Sequence, residues 1–96
     1  MLEMNNTFIA KIEKFEIEIG WYYVSVPADL RNPLVHLAGH YGMIAVTATL
    51  GTSCWPTSLM PKGDGTHFIP LSANVRKKEK LSLGMEVEIS FETRTK

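Results

Sequence analysis

The stretch Gly65-Thr66-His67-Phe68-Ile69-Pro70-Leu71-Ser72-Ala73-Asn74-Val75-Arg76 restates Gly20-Trp21-Tyr22-Tyr23-Val24-Ser25-Val26-Pro27-Ala28-Asp29-Leu30-Arg31 at a constant spacing. Val24 matches Ile69, and 69 − 24 is 45. The same spacing joins Gly20 to Gly65, Val26 to Leu71, Ala28 to Ala73, Asp29 to Asn74, Leu30 to Val75 and Arg31 to Arg76. Downstream it joins Gly39 to Gly84, Ile44 to Ile89 and Val46 to Phe91 without a gap. Each half reads as glycine, strand, short helix ending near an arginine, glycine, strand. The halves cover approximately residues 7–50 and 52–92 of a single 96-residue domain. Two copies of a strand-strand-helix-strand unit predict a mostly β fold: a small closed six-stranded barrel with one or two short helices and a pseudo-twofold axis.

Alternation supplies the strands on either side of this core. Residues 7–19 begin with Phe8, Ala10 and Ile12 on one face, then change phase so that Phe15, Ile17 and Ile19 take over. That slip predicts a bulge or bend near Glu13-Lys14 in one long strand, which suits a barrel. Residues 21–26 form a second strand, and Tyr22 and Tyr23 point to opposite faces, so one of them is expected outside. Pro33 forbids a long helix over 28–37. Ile44, Val46, Ala48 and Leu50 form one face of a third strand over 43–50, and Gly51-Thr52 reads as a turn. Residues 53–60 form a fourth strand whose Pro56 belongs at an edge or a bulge. Residues 61–65 turn the chain into a fifth strand over 66–71. Ser72 is placed to cap a short helix over 73–80. Met85, Val87, Ile89 and Phe91 line the inner face of the sixth strand.

Composition limits the function classes. Ten Lys and Arg balance ten Asp and Glu, which removes the simplest argument for a nucleic-acid binder. Cys54 is the single cysteine, so an intramolecular disulfide is impossible. Residues 1–6 lack the pattern of a signal peptide. No apolar run approaches the roughly 20 residues a membrane helix needs. The expected location is cytoplasmic.

The C-terminal half carries a recognisable pattern. Trp55-Pro56-Thr57-Ser58-Leu59-Met60-Pro61 is followed by Gly63-Asp64-Gly65, by His67-Phe68-Ile69-Pro70-Leu71, by Val75-Arg76-Lys77-Lys78, and by Leu83-Gly84-Met85-Glu86-Val87. These segments resemble a bacterial and archaeal family of domains of unknown function, number 1905. Its signature runs Trp-basic-Thr-Ser-apolar-x-Pro, a turn, an apolar-Pro strand, Val/Ile-Arg and Gly-Asp-x-Val. The resemblance covers residues 8–91 and is specific over 55–87. It implies a double-split β-barrel, distantly like the AbrB- and MazE-type barrels that bind DNA. Pro56 stands where the family usually has a basic residue, and Met85 where an Asp commonly follows the glycine. The family brings no activity that transfers to this chain.

Several groups could carry chemistry. Ser58, His67 and Asp64 suggest a hydrolytic triad, but no nucleophile elbow or oxyanion hole is visible, and local strand hydrogen bonds explain Thr57 and Ser58. His36 and His40 have helix-face spacing, yet His67 and Cys54 would have to complete a zinc set, so no metal is expected. Lys62-Gly63-Asp64-Gly65 lacks phosphate-loop spacing. No cofactor is expected. The reading that emerges is a non-enzymatic module that binds a protein partner, its own copy as a homodimer, or a small anionic ligand. Its site is expected near Trp55, Thr57, Ser58, His67 and Arg76. Trp55 would stack, Thr57 and Ser58 would hydrogen-bond, and Arg76 would hold negative charge. The alternative is nucleic-acid binding through Arg76, Lys77, Lys78 and Lys80, opposed by the zero net charge and by Glu86, Glu88 and Glu92.

Overall fold

The computed structural model describes residues 6–16 and 20–94 of the chain. The chain forms seven antiparallel strands, most with apolar residues at every second position: β1 (Asn6–Lys11), β2 (Glu13–Lys14), β3 (Tyr22–Val26), β4 (Ile44–Leu50), β5 (Ser53–Pro61), β6 (His67–Leu71) and β7 (Glu86–Thr93). They are hydrogen-bonded in the order β1-β7-β4-β5-β6-β3-β2. β1 and β2 are consecutive pieces of one bent strand, so the two ends of that order meet and the barrel is nearly closed. Its interior is filled by Ile12, Val24, Ile44, Val46, Leu59, Ile69, Ile89 and Phe91, all buried. No described helix is long and apolar enough to cross a membrane.

The strand count is seven rather than six because the first strand divides. The break falls at Ile12, one residue before the Glu13-Lys14 pair. Ile12 N–H still donates to Met85 O at 2.8 Å, and its carbonyl accepts from Gly84 N–H at 2.8 Å, holding it beside the start of β7. Glu13 and Lys14 then cross to face Tyr23 and Tyr22 of β3. One strand thus serves two sheets, and its side chain at the corner, Ile12, enters the core. The expected inward positions Ile17 and Ile19 lie outside the described residues.

Two short helices follow their strands as expected. α1 (Ala28–Arg31) passes into a 3-10 segment, Asn32–Leu37, which carries Pro33 near its start, where a missing N–H costs no intrahelical bond. α2 (Ala73–Lys78) is capped by Ser72, whose Oγ accepts from Val75 N–H at 3.2 Å. The spacing of 45 recurs in the ladders. Val24 faces Ile69 between β3 and β6, and Thr47 faces Glu92 between β4 and β7. It does not extend to the outer strands at the same value. Phe8 faces Ile89 and Leu59 faces Ile44, and 59 − 8 is 51.

Tyr23, on the outward face of β3, is not exposed. Its ring stacks on Phe15 at 4.1 Å and meets the edge of Phe68 at 5.3 Å, a small aromatic layer outside the barrel wall. Tyr22 packs against the core from the opposite face.

Candidate functional site

β5 and β6 run side by side only where Met60 faces Phe68 and Pro61 faces His67. Beyond that they part, and two prolines explain why. In an antiparallel ladder every second residue turns its N–H toward a given neighbour. Lys62 N–H bonds Thr66 O at 2.9 Å, which sets the phase. Counting by twos, Phe68 and Pro70 turn toward β5, while Met60, Ser58 and Pro56 turn toward β6. Pro56 and Pro70 have no N–H to give, so the ladder cannot continue past Met60 and Phe68.

The opening left between the strands is a groove of about 510 Å³. The unpaired reach of β5 forms one wall with Trp55, Pro56 and Thr57. Pro70, Leu71 and the start of α2 form the other, and Trp21 and Tyr22 close an end. Both tryptophans of the chain therefore line it. Trp55 is half-buried against the core, and Trp21 is 45 % exposed.

Arg76 is the one charged side chain lining the groove among the described residues. α2 brings it there because it follows buried Val75 by one position and so turns to the side of the helix facing β3. Its guanidinium lies 3.9 Å from the centre of the Tyr22 ring, and its Nε donates to Leu71 O at 3.2 Å. That fixes the plane of the fork while leaving the two Nη groups without a carboxylate partner among the described residues. Thr57 is held from behind. Arg94, just after β7, donates from Nη2 to Thr57 O at 3.0 Å and from Nε to Val46 O at 2.9 Å.

Of the five residues expected to form a site, the structure brings together Trp55, Thr57 and Arg76. Ser58 and His67 are elsewhere. Ser58 follows Thr57 on β5 but is not among the residues that line the groove. His67 stands at the far end of β6 from Leu71. It is 8 % exposed, and its Nε2–H donates to Gly42 O at 2.9 Å. That bond fixes the tautomer and leaves Nδ1 buried with no hydrogen-bond partner among the described residues. Asp64 turns back on its own hairpin, where its carboxylate accepts from the Thr66 hydroxyl and N–H. These two bonds, the hydroxyl first, hold the Asp64 carboxyl below its ordinary pKa. No hydrogen bond joins Ser58, His67 and Asp64, so the triad geometry is not present.

The basic cluster also divides. Lys77, Lys78 and Lys80 are exposed, whereas Arg76 is half-buried over Tyr22. Among the described residues no three His, Cys, Asp or Glu side chains converge as a metal site requires.

Sequence reasoning missed Trp21 and Tyr22 as groove residues. The available signal was proline phase: Pro56 and Pro70 both fall where an N–H is needed between neighbouring strands. No curated protein matches the chain. Residues 8–91, which include every strand from Phe8 to Phe91 and the whole groove, match the model of the family described as Domain of unknown function (DUF1905), and the chain belongs to that family.

Proposed function

We propose that this domain is a non-enzymatic binding module and that the groove between β5 and β6 takes a small anionic ligand. The observation that carries the reading is Arg76, stacked and fixed with its Nη groups uncommitted among the described residues, in a concave site lined by aromatic rings. A groove of this volume is the size of ordinary small-molecule sites, which combine apolar walls with a few placed polar groups. Among the described lining residues there is no Asp, Glu, His, Cys or Lys, so no general base or charged nucleophile faces the bound molecule. This favours binding over catalysis. A protein strand added along the groove is a poorer occupant, because Pro56 and Pro70 remove donors from both facing edges.

The test is thermal unfolding of the wild type and of Arg76→Gln in the presence of a panel of small organic anions, with mixed-sequence duplex DNA as a further arm. The proposal expects a subset of small anions to raise the wild-type midpoint and to lose that effect in the variant. Stabilisation by DNA alone, weakened by charge reversal at Lys77 and Lys78, would replace this reading with nucleic-acid binding through the exposed face of α2.

A further inference from the structure

The chemistry of the groove narrows the ligand further. Resting on the reading above, we infer that the ligand is a planar aromatic monocarboxylate: a flat ring held against the indole-bearing lining, with its carboxylate on the Nη edge of Arg76.

Three features select this class. The first is charge count. One cation lines the groove among the described residues, and the lysines of α2 are exposed away from it. A single guanidinium matches one negative charge, whereas phosphate esters carry nearly two and are usually met by several cations and backbone N–H groups. The second is geometry. Arg76 spends its Nε on Leu71 O and its face on Tyr22, so its remaining donors are the two Nη groups. A planar fork presents these donors in one plane, and a carboxylate accepts two parallel N–H bonds in that plane. The third is shape. Trp21 and Trp55 supply indole rings, and Met60, Pro70 and Leu71 supply apolar surface. Ring-on-ring contact rewards a flat apolar body over an aliphatic chain. Thr57 and Ser72 add two hydroxyl groups at the walls. Ser72 Oγ already accepts from Val75 N–H, which leaves its own proton free to be donated to a ligand oxygen.

The two indole N–H groups give a direct readout, because Trp21 and Trp55 both line the groove and the chain has no other tryptophan. The experiment is a two-dimensional ¹H–¹⁵N NMR titration of the full chain with 2-naphthoate, the neutral 2-naphthamide, 2-naphthyl phosphate and cyclohexanecarboxylate. The inference expects 2-naphthoate to shift both indole signals and to bind roughly tenfold or more tighter than 2-naphthamide, the effect of a charge-assisted bond. It also expects 2-naphthoate to bind tighter than the phosphate and the aliphatic acid. Arg76→Gln should reduce 2-naphthoate to the affinity of the amide, and Arg76→Lys should recover only part of the difference. The ligand series reads the preference in the wild type, so the inference stays testable if Arg76 variants fold poorly. Tighter binding by 2-naphthyl phosphate or by cyclohexanecarboxylate at the same indole signals overturns the carboxylate or the planar class, respectively, while leaving anion binding in the groove intact. No shift of either indole with any of the four overturns both readings.

Discussion

Glu79 ends α2 and reaches back to the β4–β5 turn. Its Oε2 accepts from Ser53 Oγ at 2.6 Å and from Thr52 Oγ1 at 3.1 Å. The turn is Gly51-Thr52, and Gly51 has φ +61°; a Cβ there would stand 2.1 Å from Glu79 Oε1. Glycine thus serves twice, for the left-handed backbone and for the approach of the carboxylate. The Ser53 hydroxyl, followed by that of Thr52, holds the Glu79 carboxyl below its ordinary pKa. A carboxyl whose folded pKa is depressed stabilises the fold above its unfolded pKa and loses that contribution as pH falls through the folded value. Asp64 acts in the same direction through Thr66. The expected outcome is a urea midpoint that drops between pH 7 and pH 3, and a smaller drop in Glu79→Gln. Identical drops in the two proteins would show that this contact does not contribute. None of this was legible in the sequence. Glu79 reads there as one acid inside a basic run, because a tie between residues 26 or 27 positions apart depends on how the helix lies on the hairpin.

At the scale of elements, α2 closes with a Schellman motif. Leu81 N–H donates to Arg76 O at 2.8 Å, and Lys80 N–H donates to Lys77 O at 3.3 Å. Lys80 therefore takes the position that favours glycine, with φ 56°. The same closure fixes the turn of α2 that carries Arg76. Lys80→Gly is expected to raise stability by about 0.5–1 kcal/mol, measured as an increase in the thermal midpoint. No change or a decrease would mean that the lysine stem contributes packing that outweighs the backbone strain. The strands and both helices were legible, because period-two patterning, Ser72 and Pro33 each act over a few residues. The end of α2 was placed two residues late, since a lysine in a left-handed conformation has no sequence signature. The division of the first strand was foreseen as a bend near Glu13-Lys14. Its true corner at Ile12 depends on Met85 and Gly84, 73 and 72 positions away, and local pattern cannot supply that.

The whole molecule is a barrel whose wall parts on one side. Both inner ladders, β3–β6 and β4–β7, contain a residue pair 45 apart, the spacing visible in the chain. The outer strands depart from that spacing, and the departure is where asymmetry enters. On one side β2 crosses to β3. On the other, β5 leaves β6 after two paired residues, and the groove opens. Trp55, Thr57 and Arg76, which the family-like pattern singled out, all line this groove. Ser58 and His67 belong to the same pattern, but Ser58 does not line the groove and His67, at the far end of β6, is bonded to Gly42. The central claim is that this opening is a cationic, indole-lined site for an anion. Collisional quenching of tryptophan emission tests it without any assumed ligand, by comparing iodide with caesium at equal ionic strength in wild type and in Arg76→Gln. The account predicts that iodide quenches the wild type more efficiently than caesium, and that Arg76→Gln narrows the difference. Equal quenching by the two ions, or a preference for iodide unchanged in the variant, would contradict it.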